Sequence, residues 1–181
     1  MKVAIAIFVT LILVNTLYSQ WEPEINISNS PDTTSFTSPN NSWCIASSGS
    51  FVHAVWWESL GLAGDIWYRR SINNGVNWET KIQLTSGQRS ETPAIAVSGP
   101  YVHCVWRDDR NERNEIYYRR STDNGATWDE DARPLKFNTE DENSESPSIA
   151  VSGSYVHVVW AHTRTAEEDT YAIYYIRSTD N

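Results

Sequence analysis

A cluster of acidic and arginine side chains stands out in the stretch DDRNERNE, at residues 108 to 115. Carboxylates and guanidinium groups placed together can bind a sugar carboxylate or supply the acid of a glycosidase. The candidates for catalysis are Asp108, Asp109, Arg110 and Arg164. Arg164 aligns with Arg110 in a later loop, and both Glu58 and His162 align with Asp108. Part of the cluster therefore recurs along the chain, so solvated loop charge is the favoured interpretation and the catalytic residues stay unknown.

Three histidines are the other residues whose type suggests chemistry. His53, His103 and His157 each occupy the pattern V-H-x-V-W, at steps of 50 and 54 residues. One catalytic centre needs each acid or base only once, so residues that recur in every repeat are assigned to the scaffold. Three arginines and two glutamates recur in the same way: Arg70, Arg120, Arg177, Glu91 and Glu145. The acidic residues show no calcium-loop spacing, so neither a metal nor a cofactor is predicted.

A repeat of about 50 residues must position these side chains. SINNGVNWET and STDNGATWDE place Trp78 and Trp128 50 residues apart, and STDN at 178–181 begins the motif again. Three strand-sized segments precede each motif, for example PAIAVSG, YVHCVW and EIYYRRS, and a fourth follows it. Nine Trp and nine Tyr suit half-buried strand surfaces. Four strands in a repeat of this length predict an all-β fold, a partial β-propeller of four-stranded antiparallel blades.

The repeat sets the expected boundaries of the domain. The predicted segments of residues 20–181 are a latch strand at 21–28, blades at 43–85 and 93–137, and an incomplete blade at 147–181. The latch is expected because WEPEINIS matches the fourth-strand sequence WETKIQLT, and such a strand can complete the last blade of a ring. Known propellers have about 4 to 8 blades. We therefore expect the chain to be part of a longer ring and, in isolation, to aggregate through its open strand edges.

The N-terminus and the overall charge bear on location and partners. Residues 1–19 resemble a signal peptide, with an early lysine, an apolar run too short to span a bilayer and a polar exit. We expect a secreted, periplasmic or cell-surface protein without stable membrane insertion. The net charge of −9 argues against nucleic acid as a partner. Cys44 and Cys104 are expected as buried free thiols, although the exported compartment permits a disulfide.

Each residue of the repeated turn has an expected physical role. The Asp123 carboxylate is expected to accept from backbone N–H groups two residues on, and Gly125 to adopt a positive φ. The Trp128 ring is expected to fold back against its own hairpin. The residues assigned to the turns are Ser71, Asn73, Gly75, Trp78, Ser121, Asp123, Gly125, Trp128, Ser178 and Asp180.

The turn sequence S-x-D-x-G-x-x-W resembles the Asp-box, or bacterial neuraminidase repeat, of sialidase-like β-propellers. The resemblance runs from about Trp21 to the end of the sequence. It implies a carbohydrate-directed propeller with glycans or glycoproteins as partners, joined to further domains of the same longer chain. The first sialidase arginine, in an R-I-P or R-L-P motif, has no counterpart in residues 21–43.

Two other functions stay open beside glycan recognition. One is an exo-α-sialidase-type glycoside hydrolase with most of its catalytic residues beyond Asn181. The other is a non-catalytic structural or protein-binding propeller module, because the repeated turn belongs to the scaffold and not to a reaction.

Overall fold

The computed structural model describes residues 21–38, 43–61, 63–87, 89–136, 142–163 and 170–181. This part of the chain forms three antiparallel sheets, one for each sequence repeat, and the all-β propeller-blade prediction is confirmed. The proposed signal peptide and the candidate Arg164 lie outside the described residues. Among the described residues no helical segment has the length and hydropathy that crossing a bilayer requires.

The strands follow the predicted order within each repeat. Blade 1 contains β1 (Thr34–Phe36), β2 (Ile45–Ser48), β3 (Phe51–Leu60), β4 (Ala63–Ser71) and β5 (Ile82–Gln83). Blade 2 contains β6 (Ser90–Ser98), β7 (Tyr101–Asp108), β8 (Glu115–Ser121) and β9 (Arg133–Pro134). Blade 3 contains β10 (Ser144–Ser152), β11 (Tyr155–Thr163) and β12 (Tyr171–Ser178). The fourth strands β5 and β9 are short edge strands, and the edge position tolerates Pro134, which has no N–H to donate.

The first strand of blade 1 differs from those of the other blades. Both β1 and β2 pair with β3, and they do so at opposite ends of it. In blade 2 the single strand β6 spans both of these places along β7. β1 has no counterpart among the strands predicted from sequence, because blade 1 was expected to begin at residue 43.

The second strands explain why the blades stack. In β7, Val102, Cys104 and Trp106 point to one face, while His103 and Val105 point to the other, and all five are buried. One apolar cluster fills the space between blades 1 and 2, and a second fills the space between blades 2 and 3. A middle blade is therefore buried on both faces, and its neighbours supply the cover.

The N-terminal segment at 21–28 lies where a fourth strand of a preceding blade would lie. The carbonyl of Ile27 accepts a hydrogen bond from Arg69 Nη1 at 2.8 Å. The carbonyl of Leu84, its counterpart in the fourth strand of blade 1, accepts from Arg119 Nη1 at 2.7 Å. Residues 21–28 form no strand, and the described residues include no outer strand beside them with which they could pair, so the latch strand stays a prediction.

The repeated turns are closed by a hydrogen-bond network that begins at serine. Ser121 Oγ donates to Asp123 Oδ1 at 2.8 Å and accepts from the N–H of Gly125 at 2.9 Å. The carboxylate reaches the N–H of Thr127, four residues on, at 2.9 Å, and not the residue two positions on. Burial alone would raise the pKa of Asp123, but the hydrogen bonds from the Thr127 hydroxyl, the Thr127 N–H and the Ser121 hydroxyl outweigh it and lower the pKa to about 2. Ser71 and Asn73 repeat the pattern with an amide oxygen.

The tryptophan of the turn packs against the neighbouring blade, so it joins two blades. The Trp128 ring lies edge-on to Tyr68 of blade 1, with ring centroids 4.9 Å apart. The expectation that it packs on its own hairpin missed this contact, because sequence spacing does not show that the neighbouring blade presents a tyrosine there. Gly125 lies at the same contact, with φ of 76°.

Gly125 should be the turn residue least tolerant of a side chain. A Cβ on Gly125 would lie 1.8 Å from the Tyr68 hydroxyl, which is held by His53 at 2.7 Å. Gly99 also has a positive φ, of 55°, but has open space around it. Gly99→Ala should cost about 1–2 kcal/mol of strain, and Gly125→Ala should cost about 1–3 kcal/mol more through overlap. Urea unfolding of both variants measures this difference, and equal losses would contradict it.

Candidate functional site

Asp108, the first catalytic candidate, is a buried structural carboxylate. It accepts from Arg110 Nε at 2.7 Å, from the Trp106 indole at 2.9 Å and from Ser90 Oγ at 2.8 Å. Burial alone would raise its pKa, but the bonds from Arg110, Trp106 and Ser90 outweigh it and lower the pKa below the ordinary value. An ionised carboxylate with no exposed surface has no proton to donate to a substrate.

The position of Asp108 is buried in the other two blades as well, and in blade 1 it has the same role. In blade 1, Glu58 accepts from the Trp56 indole at 2.7 Å and from Lys81 at 2.9 Å. In blade 3, His162 Nδ1 lies 3.0 Å from Ser144 Oγ. All three side chains are buried. The three residues that align in the sequence are therefore buried polar side chains at the loop end of the second strand in each blade.

The other members of the DDRNERNE cluster are also engaged in local contacts. Arg110 covers the face of the Tyr117 ring, with its guanidinium carbon 4.1 Å from the ring centroid. Asp109 Oδ1 accepts from the N–H of Arg89 at 3.3 Å. These residues lie beside blade 2, and the contacts of Arg110 account for its charge without a ligand.

The three recurring histidines are placed on the blade faces, away from the loop end. Nδ1 of His53 lies 2.7 Å from the Tyr68 hydroxyl, and Nδ1 of His103 lies 2.8 Å from the Tyr118 hydroxyl. Nδ1 of His157 lies 2.9 Å from the Tyr175 hydroxyl. Within the part of the chain that the structure describes, no group of three or more metal-ligating side chains comes together.

A cleft lined by the first strands of all three blades brings different residues together. Its volume is about 540 Å³. One residue of each first strand occupies the same register position: Phe36 pairs with Trp57, Glu91 with Arg107 and Glu145 with Ala161. We call this the axial cleft, because the first strands are the inner strands of the blades. Its other lining residues are Thr37, Ser38, Thr92 and Ser146.

One wall of the axial cleft is ionic. Arg107 Nη2 bonds to Glu91 of its own blade, and Arg107 Nη1 lies 3.5 Å from Oε1 of Glu145 in blade 3. Arg89 Nε also reaches Glu91, at 3.0 Å. A single guanidinium thus draws together two carboxylates from different blades, which fixes both side chains at the cleft.

Another part of the lining of the axial cleft is aromatic. The rings of Phe36 and Trp57 are stacked, with centroids 4.5 Å apart and planes at 21°. A cavity with an aromatic wall and a few convergent polar groups is the usual form of a small-ligand site. The axial cleft is therefore the candidate functional site.

A backbone irregularity aims the two glutamates at the cleft. Pairing shifts register between Glu91 and Ala94, and again between Glu145 and Ser148. Within these bulges Thr92 and Ser146 have φ of 52° and 53°. Positive φ is costly for a β-branched residue such as threonine, and bulges of this kind often re-aim side chains beside active sites.

The residues chosen as catalytic candidates from the sequence are not among those that line the axial cleft. Glu91 and Glu145 were set aside because they recur, yet recurrence on first strands brings the copies together at the axis. Arg107 was missed altogether. The signal that could have found it is the departure from repetition at its position, where blade 1 has Trp57 and blade 3 has Ala161.

Asp108 should matter for stability and not for ligand binding. Asp108→Asn removes the charge that Arg110 and the Trp106 indole bind, so the free energy of unfolding should fall by about 2 kcal/mol. Asp109→Asn, at the neighbouring and partly exposed position, should change it by less than about 0.5 kcal/mol. Urea unfolding of the two variants tests this, and a fully stable Asp108→Asn protein would refute the structural role.

The buried histidines should make stability depend on pH. Burial, and next the nearby Arg70 and Arg120, lower the pKa values of His53 and His103 to about 4. The unfolded chain therefore binds more protons than the folded chain between pH 6.5 and pH 4. Stability should be complete above pH 6.5 and fall as the pH drops toward 4.

Unfolding midpoints at pH 7, 6 and 5 measure this loss. His103→Leu should lower stability at pH 7, because it leaves the Tyr118 hydroxyl without its partner, but its stability should fall less steeply toward pH 5. Parallel pH profiles for the two proteins would show that His103 is not responsible.

Solved structures of known proteins share this architecture. The α-L-arabinanase of Penicillium chrysogenum complexed with arabinobiose matches with 14% identity and a TM-score of 0.53 over 72% of this chain and 41% of the other. The GH93 α-L-arabinofuranosidase of Fusarium graminearum with arabinobiose matches with 14% identity and a TM-score of 0.54, over 72% and 42%. This chain thus spans about two fifths of their length.

Sequence comparison adds no family assignment. No protein-family model matches the chain, and no curated protein matches it significantly. The structural likeness shows the fold: the three stacked blades form a partial β-propeller.

Proposed function

We propose that this chain is part of an exported, carbohydrate-binding β-propeller whose axial cleft holds a neutral oligosaccharide. The observation that carries the proposal is the composition of the cleft, in which the Phe36–Trp57 stack lies with the Arg107 ion-pair cluster in one cavity. Sugars offer apolar C–H faces to aromatic rings and hydroxyl groups to charged side chains. Both kinds of partner line the cleft.

The charge of the cleft favours a neutral sugar over an anionic one. Among the described residues that line it, the charged groups are Glu91, Glu145 and Arg107. A sugar carboxylate would have to displace one glutamate from Arg107 and then lie beside the other. A neutral hydroxyl can instead donate to a glutamate that keeps its arginine partner.

The resemblance and the similar folds support the same proposal. The network of Ser121, Asp123 and Gly125 has the bonds expected of an Asp-box, and it supports the proposal that the propeller is sialidase-like. Both structures of similar fold contain arabinobiose, a neutral disaccharide. The natural partners would then be glycans or glycoproteins outside the cell, reached after signal-peptide removal, with other domains of a longer chain beside the propeller.

Calorimetric titration with arabinobiose tests the proposal. Residues 20–181 should bind it, and Arg107→Gln should weaken binding by about 10-fold or more, since a charged hydrogen bond contributes about 1.5–3 kcal/mol. Phe36→Ala should also weaken binding, because it removes an aromatic ring from the lining of the cleft. Arg133→Gln is the matched control, because Arg133 lies on β9 over the Tyr118 ring and away from the cleft. It should bind as the unaltered protein does.

Two results would contradict the proposal. One is unchanged binding in both cleft variants, which would place the sugar elsewhere. The other is tighter binding of sialyllactose than of arabinobiose, which would favour an anionic ligand. Release of reducing sugar from either compound, lost in Glu91→Gln, would favour the hydrolase alternative.

A further inference from the structure

Two residues within strands adopt a backbone conformation that is unusual for a strand. Thr92 in β6 and Ser146 in β10 have φ of 52° and 53°. Both residues line the axial cleft, and each follows one of its two glutamates. The other described non-glycine residues with positive φ lie outside strands: Asn29, Asn74, Glu112 and Asn124.

The conformation of Thr92 is unfavourable for three reasons. A branched Cβ makes positive φ a strained choice, and the following residue, Pro93, favours an extended conformation with negative φ. The third reason is the Thr92 hydroxyl, which is buried and has no hydrogen-bond partner among the described residues. No hydrogen bond from this side chain to the described residues therefore offsets the strain.

The strain accompanies the glutamates and not the place in the blade. Thr37 of blade 1 follows Phe36, which has the register position of Glu91, and Thr37 also lines the cleft. Thr37 is not among the described residues with positive φ. Blade 1 thus presents an aromatic ring to the cleft without this conformation, whereas blades 2 and 3 each combine it with a carboxylate.

The bulge decides which face of the sheet carries the carboxylate. In β6, Thr92 and Pro93 together lie opposite one residue of β7, and Glu91 then pairs with Arg107. With regular pairing Thr92 would lie opposite Arg107, and the Glu91 side chain would point to the other face of the sheet. The same shift occurs between β10 and β11 of blade 3. The strained residue is therefore what brings a carboxylate beside the guanidinium.

Arg107 holds the two carboxylates without closing them off. Its Nη2 bonds to Glu91, and its Nη1 lies 3.5 Å from Oε1 of Glu145. The side chains of Glu91 and Glu145 are still 14% and 35% exposed. A carboxylate has about four acceptor positions, so each glutamate can accept a further hydrogen bond from a ligand while it stays with the arginine.

We propose that Thr92 and Ser146 are positioning residues, whose strained backbone holds Glu91 and Glu145 in place for the ligand of the axial cleft. Strain of this kind persists where the surrounding structure imposes it, and it is concentrated at binding and catalytic sites. A glutamate that is already fixed loses little side-chain freedom when a sugar hydroxyl binds to it. Each side chain fixed beforehand contributes about 2- to 10-fold in affinity. This inference rests on the carbohydrate proposal and adds which residues prepare the site.

Two substitutions of Thr92 separate the backbone from the hydroxyl. Thr92→Gly removes the strain, because glycine adopts positive φ freely, but it lets Glu91 take other positions. It should raise the urea midpoint by about 0.2–0.5 M and weaken arabinobiose binding by about 2- to 10-fold in the calorimetric titration. Thr92→Val is the conservative variant: it keeps the branched Cβ and the strain, and it should retain the affinity that the glycine variant loses.

Thr37→Gly is the matched control for stability. Thr37 has no positive φ to relieve, so glycine there should lower the urea midpoint by giving the unfolded chain more freedom. A rise in the midpoint for Thr92→Gly together with a fall for Thr37→Gly would show that the strain at Thr92 is real.

Opposite changes in stability and affinity are the result that a purely structural role of Thr92 would not give. If Thr92→Gly binds arabinobiose as tightly as the unaltered protein, or unfolds at a lower urea concentration, the positioning role is wrong. Weaker binding by Thr92→Val would assign the effect to the hydroxyl and overturn the role of the backbone. Failure of the unaltered protein to bind arabinobiose would refute the carbohydrate proposal and the positioning role with it, whereas equal binding by all of these proteins would refute the positioning role alone.

Discussion

Face-to-face packing of the sheets is the constraint on which the rest of the structure depends. A single sheet cannot bury the apolar side chains on both of its faces, so the stability of each blade depends on packing against its neighbours. The contacts of Tyr68, on the third strand of blade 1, show this dependence. Tyr68 binds His53 in its own sheet, packs on Trp128 of the next and leaves room only for a glycine at position 125. One side chain thus links strand, turn and neighbouring blade.

The same repetition that builds the scaffold also limits where chemistry can occur. At the loop end of the second strands, Asp108 and Glu58 hold a tryptophan indole and a cation, and their ionised carboxylates are part of the fold. At the start of the first strands, a repeated position becomes a cleft because those strands converge. The lining of the cleft is both aromatic and charged, because this repeated position holds Phe36 in one blade and a glutamate in each of the two others.

Strands and turns were predictable because each depends on local chemistry. The V-H-x-V-W pattern requires alternating faces, and the glycine and serine of each turn satisfy backbone groups a few residues away. The strand β1 was not predictable, because three residues separated from the rest of their blade carry too short a pattern. The contact of Trp128 with Tyr68 was also invisible, since it joins residues 60 positions apart in different repeats.

The sequence by itself determined the fold class, the number of repeats and the end of each blade at which turns and variable loops lie, because periodicity and turn residues act over short distances. Only the tertiary structure decided which charged residues share a cavity. Glu91 and Glu145 are 54 positions apart, and Arg107 touches both solely because neighbouring blades bring their inner strands together. Convergence of this kind is a property of how whole sheets pack, and no local pattern encodes it.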